Sequence, residues 1–250
     1  EVRGDGPKMI WVRSVDDAGN TSDIVMVTCV LDTRPPDAVA VTPSGSGTTR
    51  TLQINGLETG AHWEYSLDEQ QSWRRGAGNS LGVLGNGLGA VALRQVDIAG
   101  NVSMPQTIRL DDPASESWHE ASGNAMQPST LATSGSRVFV VHGSVIRGDA
   151  DFIRWDVPSG HRLANVQLVH YASEDKIAFY ALQRAAVFDA GVDVNRMMVY
   201  GHMGPSDLGR NVVSGVPLDQ LGTGPMTLWF QQTGPLPTTY AIEIQLQPLP

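Results

Sequence analysis

The sequence is poor in cysteine, in basic charge and in long apolar runs, and each shortage excludes something. Cys29 is the single cysteine among 250 residues, so neither an internal disulfide nor a cysteine-based zinc site can form. Lys and Arg number 17 against 26 Asp and Glu, a formal charge of −9. Nucleic acid or an anionic membrane surface would need clustered cations to neutralise phosphate, and the sequence has no such cluster. No apolar run approaches the roughly 18 residues of a membrane span, and residues 1–15 lack the basic start and apolar core of a signal peptide.

Turn chemistry is plentiful instead. With 27 Gly, 15 Pro and only 17% charged residues, the chain reads as many short Val- and Thr-rich strands joined by tight turns, with few helices. This length accommodates two or three modules, each burying its own core.

An internal repeat organises the first half. Val15-Asp16-Asp17-Ala18-Gly19-Asn20-Thr21-Ser22 returns 81 residues later as Val96-Asp97-Ile98-Ala99-Gly100-Asn101-Val102-Ser103. Strand-like stretches flank both copies, so each reads as a hairpin in which Gly and Asn supply positive φ and Asp accepts local backbone hydrogen bonds. That period suits a small sandwich domain, making 33–112 one complete module and 1–32 only the last strands of another. A lone hairpin is marginal in water, so residues 1–32 are expected to pair with residues outside this chain or with the neighbouring module in a split arrangement. Val25, Val27, Cys29 and Leu31 alternate on one strand face, which predicts Cys29 as a buried structural thiol. Trp63, Tyr65 and Leu67 alternate likewise and are core candidates.

The ordered pattern Trp63-x-Tyr65-Ser66-x-Asp68-x-x-x-x-Trp73, a Gly-rich 76–89 stretch and Arg94-Gln95-Val96-Asp97-x-Ala99-Gly100-Asn101 resembles the bacterial immunoglobulin-like repeats of RTX-type and biofilm adhesins. Asp32-Thr33-Arg34-Pro35-Pro36 resembles their inter-repeat linker. One departure is Glu69-Gln70, where that family has a Gly-rich turn. The resemblance implies a spacer role, often with calcium rigidifying the joints.

Residues 113–135 read as a linker rich in Ser, Ala, Gly and Pro. Beyond it lie seven strand-like runs, from Arg137–Val141 to Tyr240–Leu246, which predict a sandwich or jelly roll; Tyr180–Phe188 could also support a helical turn. Gly148-Asp149-Ala150-Asp151-Phe152, the Val157-Pro158-Ser159-Gly160 turn and the closing Thr227–Phe230 and Thr239–Ile244 runs resemble the pre-peptidase C-terminal family over about residues 116–247. That resemblance implies a non-catalytic module appended to secreted proteins, binding calcium or extracellular polymers in some members. The opening Glu120-Ala-Ser-Gly-Asn124 departs from the family's Glu-Pro-Asn.

The fold class expected is therefore all-β: immunoglobulin-like β-sandwich modules over 1–32 and 33–112, then a jelly-roll-like β-sandwich over 113–250. Calcium takes roughly six to eight hard oxygens, and Asp149 and Asp151, together with Asp111 and Asp112 at the junction, are its candidate ligands. Turn stabilisation is the competing reading, as it is for Asp16, Asp17 and Asp97. Sugar binding needs exposed aromatic faces beside polar groups; Trp118, Tyr171, Tyr200, His202 and Asp207 are candidates, against strand-core packing of the aromatics.

No catalytic set emerges. Gly78-Asn79-Ser80-Leu81-Gly82 spells a nucleophile elbow but precedes no helix, and His119-Glu120 lacks the second His of a metalloprotease helix. Arg3-Gly4-Asp5 and Arg147-Gly148-Asp149 are short enough to be turn sequences. The expectation is a fragment of an extracellular bacterial surface adhesin, its partners an extracellular polysaccharide or peptide and neighbouring repeats, with no nucleic acid or membrane insertion. The alternatives are a calcium-stiffened spacer and an accessory module of a secreted hydrolase.

Overall fold

The computed structural model describes residues 3–45, 49–84, 90–110, 121–133, 135–189, 191 and 196–250. The chain is all-β, as its two-residue periodicity requires. The first hairpin is β1 (Gly6–Val12) with β2 (Val25–Leu31), a two-stranded sheet of its own. The next unit supplies β3 (Ala40–Ser44), β4 (Thr49–Asn55), β5 (His62–Ser66), β6 (Arg74–Arg75), β7 (Ser80–Leu84), β8 (Ala90–Val96) and β9 (Gln106–Arg109). The last supplies β10 (Ser129–Thr130), β11 (Val138–Val145), β12 (Ala150–Val157), β13 (His161–Ala172), β14 (Ala178–Gln183), β15 (Val199–Met203), β16 (Gly224–Gln232) and β17 (Thr238–Pro248). All seven runs expected in the C-terminal half are strands; the Tyr180–Phe188 region is β14 followed by bends rather than a helical turn. Among the described residues no helix is long and apolar enough to cross a membrane.

The two larger units share a sheet. Six strands run β13-β17-β11-β7-β4-β3, with the parallel pairing of β11 to β7 (Val138↔Leu81 to Val141↔Leu84) joining the halves. Gly82 permits that junction, because a Cβ there would fall 2.4 Å from the Phe139 ring. A four-stranded sheet β6-β5-β8-β9 packs on one part of this central sheet and a five-stranded sheet β10-β12-β16-β14-β15 on the other. Leu52, Leu81 and Val83 bury against Trp63, Tyr65 and Leu93 in one core; Tyr240, Ile242 and Ile244 bury against Ile153, Trp155 and Leu228 in the second. Strand β11 serves both, sending Val138 and Val140 to the first core and Phe139 and Val141 to the second. A strand covered on both faces carries a continuous apolar run in place of alternation.

The repeat seen in sequence is a repeat in structure. Asp16 Oδ1 accepts the amides of Ala18 and Asn20 at 3.0 and 2.8 Å, and Asn20 Nδ2 donates to its Oδ2 at 2.8 Å. Asp97 does the same with Ala99 and Asn101, each bond 2.8 Å. Strand register is preserved as well, with Ile10↔Val27 and Val12↔Val25 matching Val91↔Ile108 and Leu93↔Gln106. Surroundings differ: Val91 and Leu93 are fully buried, whereas Ile10, Val12, Val25 and Val27 are exposed. Cys29 is exposed too, which corrects the expectation of a buried thiol. Its strand alternates as foreseen, but no second sheet covers that face among the described residues. Nor does the neighbouring unit cover the hairpin among the described residues; near its base Asp5 accepts the amide and hydroxyl of Thr33 at 3.1 and 2.8 Å, and Asn101 Nδ2 donates to the Asp32 carbonyl at 3.2 Å.

Candidate functional site

A cleft of about 970 Å³ lies between β5, β8 and β9 of the four-stranded sheet and β11, β17 and β13 of the central sheet. Its floor is built around Ala241 of β17, which is flanked in register by His142 of β11 and His170 of β13. The small central residue lets the two imidazoles lean over it and stack, with ring centroids 6.2 Å apart and planes 21° apart. His170 reaches this side through a β-bulge. Register slips between Leu168 and His170, so Leu168 and Tyr171 face the second core while Val169 packs against the first and His170 lines the cleft. An unbroken strand would have turned His170 toward the core; bulges re-aim side chains in this way.

The opposite wall carries the local strain. Glu69 and Gln70 have φ of 55° and 72° and are the non-glycine residues with positive φ among those described. Each such residue costs on the order of 1–3 kcal/mol unless its surroundings impose the geometry. Here the surroundings do. Ser66 Oγ donates to Asp68 Oδ1 at 2.7 Å and accepts the Gln70 amide at 2.9 Å, while Asp68 Oδ1 accepts the Ser72 amide at 2.9 Å. Burial pushes the Asp68 carboxyl up, but the bonds from Ser72 and Ser66 outweigh it and hold the group below the usual carboxylate range. The strained pair, the two histidines and Arg109 of β9 all line the same space.

One residue spacing below the floor lies a buried acid. Glu243, on the Ala241 side of β17, is 1% exposed. The Tyr65 hydroxyl donates to its Oε2, and the amides of Gln167 and Gln245 donate to Oε1 at 2.6 and 2.7 Å. Burial dominates and pushes this carboxyl up to about 7, with the Gln245 bond opposing. Tyr65 belongs to the first unit and Glu243 to the second, so a hydrogen-bonded acid links the two units under the cleft.

The residues singled out from sequence are scattered. Asp151 is fully buried and accepts the Tyr240 hydroxyl at 2.6 Å; Gly143 faces the pair, where any Cβ would collide. Asp149 sits in the β11–β12 turn, its amide donating to the Ile146 carbonyl at 3.0 Å. Two such carboxylates fall well short of a calcium shell, and no group of three or more His, Cys, Asp or Glu suited to a metal occurs among the described residues. Asp111, Asp112 and Trp118 lie outside the described residues.

Tyr171 is 8% exposed and donates to the Asp175 carbonyl at 2.9 Å, so its ring packs in the core. Tyr200 is exposed on β15. His202, on the same strand, meets Phe179 edge-on at 5.8 Å, and Phe179 meets Trp229 at 4.9 Å in an aromatic row across the five-stranded sheet. Asp207 pairs with Arg210 at 3.1 Å and accepts the Gly204 amide at 3.0 Å. None of these lines the cleft. Sequence reasoning missed His142, His170 and Arg109; only Glu69-Gln70, noted as a departure from a glycine turn, carried a signal. Ser80 of the formal elbow is buried on β7 and bonded to the Gly135 carbonyl at 2.9 Å, a structural hydroxyl.

Comparisons with known proteins add little to this geometry. No family model matches the chain, and no curated protein matches it. Among solved structures, a β-porphyranase of glycoside hydrolase family 86 from the human gut bacterium Bacteroides plebeius is similar at 7% identity and a TM-score of 0.19, over 90% of this chain. The chain spans 39% of that enzyme's length.

Proposed function

We propose that this chain is a non-catalytic part of an extracellular bacterial surface adhesin, in which the immunoglobulin-like unit extends the protein and the cleft between the fused sandwiches takes up a segment of extracellular polysaccharide. The observation that carries this reading is the Glu69-Gln70 pair, held in a glycine conformation at the wall of a roomy cleft. Glycine would fill those positions without strain; a carboxylate and an amide kept there at a conformational cost offer hydrogen bonds to hydroxyl groups. His142 and His170 add imidazole nitrogens to the lining of the same cleft.

The test is a glycan array run beside a peptide array, with wild-type protein and Glu69→Gly/Gln70→Gly. The expected result is glycan binding that the double variant loses while its melting temperature rises, since the strain is relieved. Binding to peptides alone, or to nothing, overturns the polysaccharide assignment. A spacer role without a ligand is the second reading, favoured by the structural repeat of the two hairpins. Calcium belongs to either version as a structural ion and predicts a higher melting temperature in calcium than in chelator; equal melting removes it.

A further inference from the structure

A second cavity of about 280 Å³ adjoins the cleft, lined by Asp68, Ser72 and Arg74 of the first unit and by Val169, His170 and Tyr171 of the second. Leu67 and His170 line both spaces, so the two meet at that pair. Strand pairing turns Arg74 into the cavity. It stands opposite Tyr65 across β5 and β6; directly opposed residues share a sheet face, and Tyr65 faces the first core. An arginine thus holds a half-buried, core-facing position at the sheet edge. Its guanidinium carries five N–H donors, and among the described residues it donates no hydrogen bond. Asp68 acts on it only through space. The Asp68 oxygens are taken up on their own turn, Oδ1 by the Ser66 hydroxyl and the Ser72 amide at 2.7 and 2.9 Å and Oδ2 by the Ser72 hydroxyl at 2.5 Å.

Burial pulls the Arg74 guanidinium below the ordinary arginine value and the Asp68 charge opposes this, yet the group stays charged in a protein. A partly desolvated fork with unmet donors at a cavity wall suits an anion that offers two oxygens side by side. The rest of the groove agrees. Arg109 of β9 lines the cleft and Arg74 of β6 the adjoining cavity. In the order β6-β5-β8-β9 they stand three strand spacings apart, about 14 Å at roughly 4.8 Å each. His142 and His170 line the same groove, so four groups able to carry positive charge converge on it from distant stretches of a chain whose formal charge is −9. Glu69 lines the cleft but not the second cavity.

We infer that the second cavity is an anion subsite of this groove, in which Arg74 forks the carboxylate or sulfate of an acidic sugar while the neighbouring sugars lie in the cleft. The inference rests on the polysaccharide reading and narrows it to acidic polymers. Uronates and sulfated sugars offer the same pair of oxygens; neutral sugars offer none. A neutral segment would cover Arg74 and leave its donors unmet, so discrimination comes from that cost as well as from the bonds an acid makes.

The test titrates the 250-residue chain with oligogalacturonate, sulfated dextran oligomers and unsulfated dextran oligomers in a calorimeter. Salt near physiological strength screens the protein's overall charge beyond about 8 Å. The acidic probes are expected to bind on the order of 10- to 100-fold tighter than unsulfated dextran, the scale of charge-assisted hydrogen bonds, and the tighter of the two identifies the acid. Arg74→Gln should abolish the preference and Arg74→Lys keep part of it, having the charge without the fork. A second readout needs no variant: the Arg74 Nε–Hε resonance should shift when inorganic sulfate or galacturonate is added to the wild-type protein. Equal affinity for neutral and acidic probes, or a preference that survives in Arg74→Gln, overturns the inference and leaves the polysaccharide reading standing. If no oligosaccharide binds, the polysaccharide reading falls and the resonance decides the subsite alone. A shift with either anion upholds it; no shift overturns it.

Discussion

The two hairpins share a turn, a register and a hydrogen-bond pattern, yet one is the wall of a core and the other presents its apolar residues to solvent. Local sequence therefore suffices to build the hairpin, through an aspartate that accepts the amides two and four residues ahead of it and a glycine at φ near 90°. It does not suffice to bury it. Burial is a property of the strands brought over the hairpin, which for β8–β9 come from residues 49–84 and from β11.

Substitutions at equivalent positions put that contrast to a measurement. Leu93→Ala should cost about 2–5 kcal/mol in denaturant unfolding, the range for truncating a fully buried leucine. Its counterpart Val12→Ala should cost no more than about 0.5 kcal/mol in the 250-residue chain. Similar losses in the two variants would mean that the first hairpin is covered as well.

The hydrogen bond between the two units gives the next effect. The Glu243 carboxyl is raised to about 7 by burial, so between the ordinary glutamate range and pH 7 the unfolded chain ionises while the folded chain stays protonated. Folding stability from this group is present below about pH 4.5 and is lost as pH rises through 7, by up to about 3 kcal/mol. Glu243→Gln should flatten that slope, read from urea midpoints at pH 4.5, 6 and 8. The first hairpin has no such buried acid, and Asp16→Asn should leave the slope in this window unchanged.

A smaller loss is expected at the junction. Gly82→Ala places a methyl group against the Phe139 ring and should cost about 1–3 kcal/mol, typical of overpacking, with increased hydrogen exchange in β7 and β11. Gly19→Ala in the first turn meets no neighbouring atom and pays only for its positive φ. Smallest of all is the turn aspartate pair. Asp97→Ala should lower the melting temperature of the chain, while Asp16→Ala should loosen only its own hairpin, seen in local exchange and not in global melting.

Much of this was legible in the sequence. Strand-like runs located seven of the eight strands of the C-terminal half, missing the two-residue β10 inside the stretch read as a linker, and the repeated Asp-x-Ala-Gly-Asn motif located both turns with their bonding. Trp63 and Tyr65 declared themselves as core by spacing two apart, and both are buried. The site was far less legible. His170 faces the cleft because of a bulge, and a two-residue period does not announce a bulge. His142 meets His170 only because both flank Ala241, on strands far apart in the chain. The candidates named for sugar binding went elsewhere: Tyr171 into the core and His202 onto the far sheet.

The sequence by itself determined an all-β chain, the positions of its turns and the internal repeat, because these depend on residues a few positions apart and on which faces alternate. Only the tertiary structure decided that β7 and β11 pair in parallel, fusing two sandwiches through one sheet. It also placed Tyr65 on Glu243 and left Cys29 uncovered. Those outcomes turn on which distant strand occupies a free edge or face, and side-chain alternation marks such a face as apolar without naming its partner.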